Sequence, residues 1–183
     1  MLDYLFSPYL IIIWACLYGL FMKIADLLNE HGLKWFKGSG QLFGFLTGIT
    51  GSLLILSDPV IANIIGAMVI AFFIRGRMDR LNHQLAGTIM TITFLFSSSF
   101  QPMLFGIFYV IFLIFGSLKD CVDDYLKKRK GAFALLSEIM LYYPIPTLIY
   151  CLMYGNWIVF WVFFCYTLFY NLIKYYYKKK GYK

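Results

Sequence analysis

Charge is scarce in this chain. Only 14% of its 183 residues are charged, and Asp and Glu together number nine. A water-soluble domain of ordinary composition carries about 25% charged residues, so a soluble globular protein is excluded at the outset. Catalytic signatures are also missing. There is no G-x-S-x-G, no H-E-x-x-H and no P-loop, which demotes serine, zincin and nucleotide-hydrolysis chemistry. The four cysteines, Cys16, Cys121, Cys151 and Cys165, have no C-x-x-C spacing, so neither a zinc site nor a disulfide framework is indicated. They read as buried free thiols. The first residues contain Asp3 and no positive run or small-residue cleavage site, so the first apolar stretch reads as a retained helix and not as a secretory signal.

What is abundant is apolar sequence, at 61% of residues. It falls in blocks over residues 5–22, 41–56, 60–74, 85–100, 103–118, 133–154 and 157–173. These blocks are apolar all round and lack the strict alternation of a membrane β-barrel. Several are shorter than the ~20 residues that cross a ~30 Å hydrocarbon core, so their helices are expected to continue into the flanking polar residues. The expected fold is an all-α, polytopic integral membrane helix bundle of about seven transmembrane helices. Residues 1–183 read as a single transmembrane domain.

The connections alternate in charge. Those at 57–59, 100–102 and 155–156 are tight Ser, Pro, Gly and Asn turns without a basic residue, and the other connections and the tail hold all 16 Lys and Arg. The positive-inside rule then puts the N-terminus outside and the C-terminus in the cytoplasm, as a multi-pass protein of the cell membrane. The net charge of +7 is read as topogenic charge attracted to anionic lipid head groups, with no nucleic acid as a partner. The tail, with Tyr175, Tyr176, Tyr177 and Tyr182 among its lysines, looks like an interfacial anchor. In the second block, Gly40, Gly44, Gly48 and Gly51 offer a groove for close approach of another helix.

The informative polar residues cluster at the cytoplasmic ends of the first, third and fifth blocks. They are Lys23, Asp26, Asn29, Glu30 and His31; Arg75, Arg77, Asp79, Arg80, Asn82 and His83; and Lys119, Asp120, Asp123 and Asp124. On a helix, residues three and four apart share a face. Asp26 is therefore expected to point with Asn29 and Glu30, Asp79 with Asn82 and His83, and Asp120 with Asp123 and Asp124. Six of the nine acidic residues and both histidines gather on this side, whereas Asp3 and Asp58 are the acids of the opposite side. The bland reading of the same residues is a set of helix-surface pairs such as Asp123 with Lys127, Asp124 with Lys128, and Arg75 with Asp79. The remaining acid, Glu138, lies inside the sixth block below Pro144 and Pro146, where a kink is expected.

Carboxylates and amides at the head-group level suit Mg²⁺, held through one or two carboxylates plus substrate phosphates. Basic neighbours suit phosphate oxygens. The resulting expectation is a metal-dependent lipid-phosphate transferase. Asp26, Asp79 and Asp120 are its catalytic candidates. Asp26, Glu30, Asp120, Asp123 and Asp124 are its metal ligands. Lys23, Asn29, Arg77, Arg80, Asn82, His83 and Lys119 bind the substrate. The partners are membrane lipids, including a lipid phosphate or diphosphate.

The run Gly116 to Asp124, followed by Lys127-Lys128-Arg129-Lys130-Gly131, resembles the second Asp-rich motif of the UbiA-type intramembrane prenyltransferases, and the run Asp79 to His83 resembles the end of their first motif. This resemblance implies an all-helical enzyme that binds a polyprenyl diphosphate through Mg²⁺ and transfers the prenyl group. It covers two short segments. Family members are larger, and their first motif carries more carboxylates than Asp79 supplies. The glycine-rich stretch 38–51 and the basic run at Lys127 to Arg129 also resemble membrane cytidylyltransferases that make CDP-activated lipids. Rival classes are a small transporter or channel component, with Glu138 as a cation site, and a non-catalytic membrane subunit whose basic loops dock a cytosolic partner.

Overall fold

The structure is a computed structural model that describes residues 6–125 and 139–182, with the backbone alone described for residues 122–125. Asp3, Asp123, Asp124, the basic run from Lys127 to Lys130, and Glu138 therefore lie outside the described residues or side chains. Among the described residues there are seven helices: α1 Pro8–Asn29, α2 Ser39–Ser57, α3 Pro59–Ile74, α4 Leu81–Phe96, α5 Pro102–Tyr125, α6 Pro144–Tyr154 and α7 Trp157–Lys179.

Proline sets most of the starts. Four of the five prolines, Pro8, Pro59, Pro102 and Pro144, open a helix, where the missing N–H costs nothing and the fixed φ suits the first turn. Asp58 caps α3, its Oδ1 accepting from the Val60 and Ile61 amides at 2.7 and 3.1 Å. Gly155 ends α6 in the left-handed region at φ 78°, and its amide donates back to the Cys151 carbonyl. Asn156 adds a bond of 3.2 Å from its amide to Asp58 Oδ2, tying this turn to the start of α3.

Four helices, α1, α2, α7 and the Pro102–Cys121 part of α5, are long and apolar enough to cross a bilayer, which makes this a multi-span membrane protein. Helix α3 has 16 residues, or ~24 Å at 1.5 Å per residue. It is buried along nearly its whole length, with Ile61, Ile64, Ile65, Met68, Val69 and Ala71 all in the core. Its neighbours α2, α4 and α5 stand between it and lipid. Apolar side chains gain little by leaving lipid for protein, so close packing and hydrogen bonds must hold such a bundle together. Asn63 of α3 supplies the latter. Its Nδ2 donates to Pro59 O and to Ser99 O at 2.7 and 2.6 Å, and its Oδ1 accepts from Gln101 N at 2.8 Å.

Close packing comes from α2. An added Cβ at Gly44 would lie 2.6 Å from the Asn82 Cα, and one at Gly48 would lie 2.9 Å from Ile89 Cδ1. The glycine face therefore seats α4, while Gly40 meets Asn29 of α1 and Gly51 meets Met90 and Tyr18. Gly19 of α1 similarly abuts the backbone of α7 at Tyr166. Helix α5 exposes Ile107, Val110 and Ile114 on the outside of the bundle.

The sixth span, over residues 133–154, is interrupted beside the prolines where a kink is expected. Residues 139–143 form turns, with Met140 at φ 60°, and α6 begins only at Pro144. Its 11 residues rise ~16 Å. A proline at the first position and another two residues later favour a start here, since neither can donate to a preceding turn.

Candidate functional site

The tight turns make successive helices alternate in direction, so α1, α3, α5 and α7 end where α2 and α4 begin. At this basic end a cavity of about 330 Å³ opens between α1, α2, α3, α4, α5, α7 and the 139–143 turn.

On one wall, α1 supplies Asp26 and Glu30, one helical turn apart, and the first turn of α4 supplies His83. One ligand atom from each lies within 4.8 Å of the others, a set able to hold a divalent metal ion. His83 Nε2 is 3.0 Å from Asp26 Oδ1 and 3.6 Å from Glu30 Oε1. Its other nitrogen, Nδ1, is 3.1 Å from the Arg77 carbonyl. Both ring nitrogens thus face acceptors, the arrangement of an imidazolium. Burial opposes that charge, but the bond to Asp26 and the negative charges of Asp26 and Glu30 prevail and raise the His83 pKa above its ordinary value. His83 precedes the apolar stretch that starts at Leu85. Glu30, just past the end of α1, is shifted up by burial and by the Asp26 charge. A metal ion bound here would take the place of the Nε2 proton, while Nδ1–H keeps its carbonyl partner, the usual outer-shell support of a ligating histidine.

Two further side chains fix Asp26. The Tyr170 hydroxyl of α7 donates to Oδ2 at 2.9 Å. Lys23 lies 3.9 Å from the same oxygen, with its ammonium 5.2 Å from the centre of the Tyr170 ring. Oδ1 is left to the histidine or to a metal ion.

The cavity also holds a second ion cluster. Arg75, at the end of α3, donates from Nε and Nη2 to Asp120 Oδ2 at 2.9 and 2.7 Å. Arg77 reaches Asp120 Oδ1 at 2.7 Å. Lys119, Lys174, His31 and Tyr142 also line the cavity. Burial and the nearby Lys23 charge lower the pKa of His31.

No family model, curated protein or solved structure matches the chain.

The structure brings some of the sequence candidates together and separates others. Asp26, Glu30, His83, Lys23, Asn82, Arg77 and Lys119 all line the cavity. Asp120 lines it as well, but as the partner of Arg75 and Arg77 and not as a companion of Asp26 and Glu30. Asn29, expected beside Asp26, turns the other way. Its amide donates to the Ala25 carbonyl at 2.9 Å, and its side chain packs on Gly40 of α2. Asp79 and Arg80 sit on the rim, pair with each other at 3.8 Å and have side chains 63% and 55% exposed. The expected i, i+4 pair of Arg75 with Asp79 does not form, because helix α3 stops at Ile74 and Gly76, at φ 69°, turns the chain away.

Arg75 and Tyr170 belong to the two clusters of the site, yet sequence reasoning gave the first a helix-surface role and left the second unassigned. Tyr170 had a usable signal. A phenol four residues before Lys174 of the basic end, in the last turns of a span, has its hydroxyl at head-group depth, where it needs a polar partner. His83 was expected to contact substrate, and the structure places it with Asp26 and Glu30 in the set able to hold a metal ion.

Proposed function

We propose that this chain is a multi-pass protein of the cell membrane whose cavity opens to the cytoplasm and binds a divalent cation together with the phosphate or diphosphate head of a lipid. The distribution of basic residues supports the orientation, with the N-terminus outside and the C-terminus inside. The observation that carries the reading is the Asp26, Glu30 and His83 set sharing one cavity with Arg75, Arg77 and Lys119. Three ligands leave coordination positions for phosphate oxygens, and the cationic wall offsets the remaining charge of a diphosphate. Transfer of a prenyl group from its diphosphate, or of a cytidylyl group from CTP to a lipid phosphate, fits such a site, and each releases a diphosphate. Asp26, oriented by Tyr170, would hold the cation together with Glu30 and His83, and the ion would supply charge stabilisation to a departing diphosphate. Mg²⁺ is the ion that phosphate chemistry favours, whereas the imidazole ligand favours Mn²⁺ or Zn²⁺.

The test is thermal stability of the detergent-purified protein with Mg²⁺, Mn²⁺ or Zn²⁺, each crossed with a long-chain prenyl diphosphate, with a CDP-lipid precursor plus CTP, and with neither. A stabilisation that needs both ion and phosphate, and that disappears in Asp26→Asn and His83→Gln, supports the proposal and separates its prenyl and CDP-lipid versions. A folded protein that no combination stabilises refutes it and leaves the three residues as an interfacial ion pair.

A further inference from the structure

The cavity is not polar throughout. Below the ring of charged groups it is walled by Tyr18, Met22, Met68, Met78, Met90 and Met140. Five of the eight methionines in the chain thus face one space. Tyr18, Met68, Met90 and Met140 are buried core residues, whereas the Arg77 side chain at the mouth is 43% exposed. The apolar part is therefore the inner end of the same cavity.

Helix geometry gives its depth. Met90 follows His83 by seven residues on α4, Met68 precedes Arg75 by seven on α3, and Tyr18 precedes Asp26 by eight on α1. At 1.5 Å per residue the chamber reaches roughly 10–12 Å inward from the polar ring. A volume of about 330 Å³ is at the low end for ligand sites, which run from ~300 to ~1,000 Å³. It has room for one hydrocarbon chain and a small head, and not for the two chains of a bilayer phospholipid. Methionine is the side chain that adapts best to a flexible apolar occupant. Asn82, only 1% exposed, is also in the wall, and neither of its amide atoms has a hydrogen-bond partner. Such an orphan costs free energy unless a ligand satisfies it.

We infer that the ligand is a single-chain amphiphilic phosphate, whose hydrocarbon chain enters the methionine-lined chamber inside the bundle and whose chain-to-phosphate oxygen accepts from Asn82. This rests on the lipid-phosphate reading above and adds to it where the chain goes and how many chains there are.

The experiment measures binding of linear alkyl phosphates, from butyl to tetradecyl, to the detergent-purified wild-type protein with the divalent ion, and of inorganic pyrophosphate as the chainless control. Each methylene entering the chamber is expected to tighten binding about fourfold. The series should level off once the chamber is full. Met90→Phe and Met68→Phe should move that break to shorter chains, and Met90→Ala, which deepens the chamber, to longer ones. Should a phenylalanine variant fail to fold, the alanine variant carries the same test. Affinity that is flat from butyl onward, that rises unbroken to tetradecyl, or that breaks at the same length in every folded variant overturns the inference. If ion-dependent pyrophosphate binding persists in wild type under any of those outcomes, the lipid-phosphate reading stands without it. If neither pyrophosphate nor any alkyl phosphate binds, both fall.

Discussion

Replacing Asp120 by leucine separates a structural from a catalytic carboxylate. The Arg75 side chain is 6% exposed and that of Asp120 17%. Removing one member of a buried ion pair typically costs about 3–5 kcal/mol, because the charge left behind has no counterion. Among the described residues Arg75 then retains the Phe72 ring, 5.3 Å away, a contact worth about 0.5–1 kcal/mol where exposed and up to ~2 when desolvated. Its Nη1 already has no partner and lies against Gly116. Asp120→Leu should therefore cost about 3 kcal/mol, or ~6–12 °C in Tm for a chain of this size. Arg75→Met is the milder change, since Asp120 keeps Arg77 at 2.7 Å. It should cost about 1 kcal/mol. The double variant removes both buried charges at once and should be more stable than the sum of the singles by about 2 kcal/mol. The assay is thermal unfolding of the four proteins in one detergent at one scan rate. An Asp120→Leu protein whose Tm stays within about 2 °C of wild type, with ion-dependent ligand binding abolished, would refute the structural assignment and return Asp120 to the metal site.

Three other outcomes follow from the same geometry. Gly44→Ala should lower Tm, since its methyl would meet the Asn82 backbone, which cannot yield as a flexible side chain does. Overpacking of this kind costs about 1–3 kcal/mol, whereas Gly106→Ala, with nothing within 4 Å, should leave Tm unchanged. Asn63→Leu leaves the Ser99 carbonyl and the Gln101 amide without their partner and should cost about 1–3 kcal/mol per orphaned group, read as a lower Tm and faster hydrogen exchange at the 97–101 turn. In metal-free protein the raised His83 pKa gives a pH dependence of definite sign. Its contribution to stability is fully present below about pH 6.5, the unfolded value, and is lost as pH rises through the higher folded value. The Tm difference between wild type and His83→Gln should shrink over that window, and a constant difference from pH 5 to 9 would contradict the imidazolium assignment.

The residues that touch across the site are separated by long stretches of chain. His83 meets Asp26 across 57 positions, Arg75 meets Asp120 across 45, and Tyr170 meets Asp26 across 144. Helical spacing alone pairs Asp26 with Glu30 correctly, because Glu30 caps the end of α1 and its amide still bonds to the Asp26 carbonyl at 2.8 Å. The same rule fails in part for Asp79, Asn82 and His83: Asp79 Oδ1 is 4.0 Å from His83 Nδ1, but Asn82 is buried with no side-chain partner. Arg80 is the N-cap of α4, so Asp79 lies outside the helix whose face it was expected to share. It fails for Asn29 too, since the close seating of α2 at Gly40 draws that amide away from the cavity.

The amino-acid sequence by itself determined the class of structure and its ends. Long apolar blocks with few charges can satisfy their backbone groups in lipid only as helices, four prolines mark where helices start, and the basic residues mark one end of the bundle. It also determined that polar chemistry would gather at that end, because charged groups are too costly within the hydrocarbon. Only the tertiary structure decided which of those groups form a site. The glycine face of α2 sets how closely α4 approaches α1, and that distance brings His83, still 4.0 Å from Asp79, beside Asp26 and Glu30 as well. The packing of α3 on α5 likewise gives Asp120 to Arg75 and Arg77. Periodicity records which side of a helix a residue occupies, but which helix lies opposite is settled by packing between segments far apart in the chain.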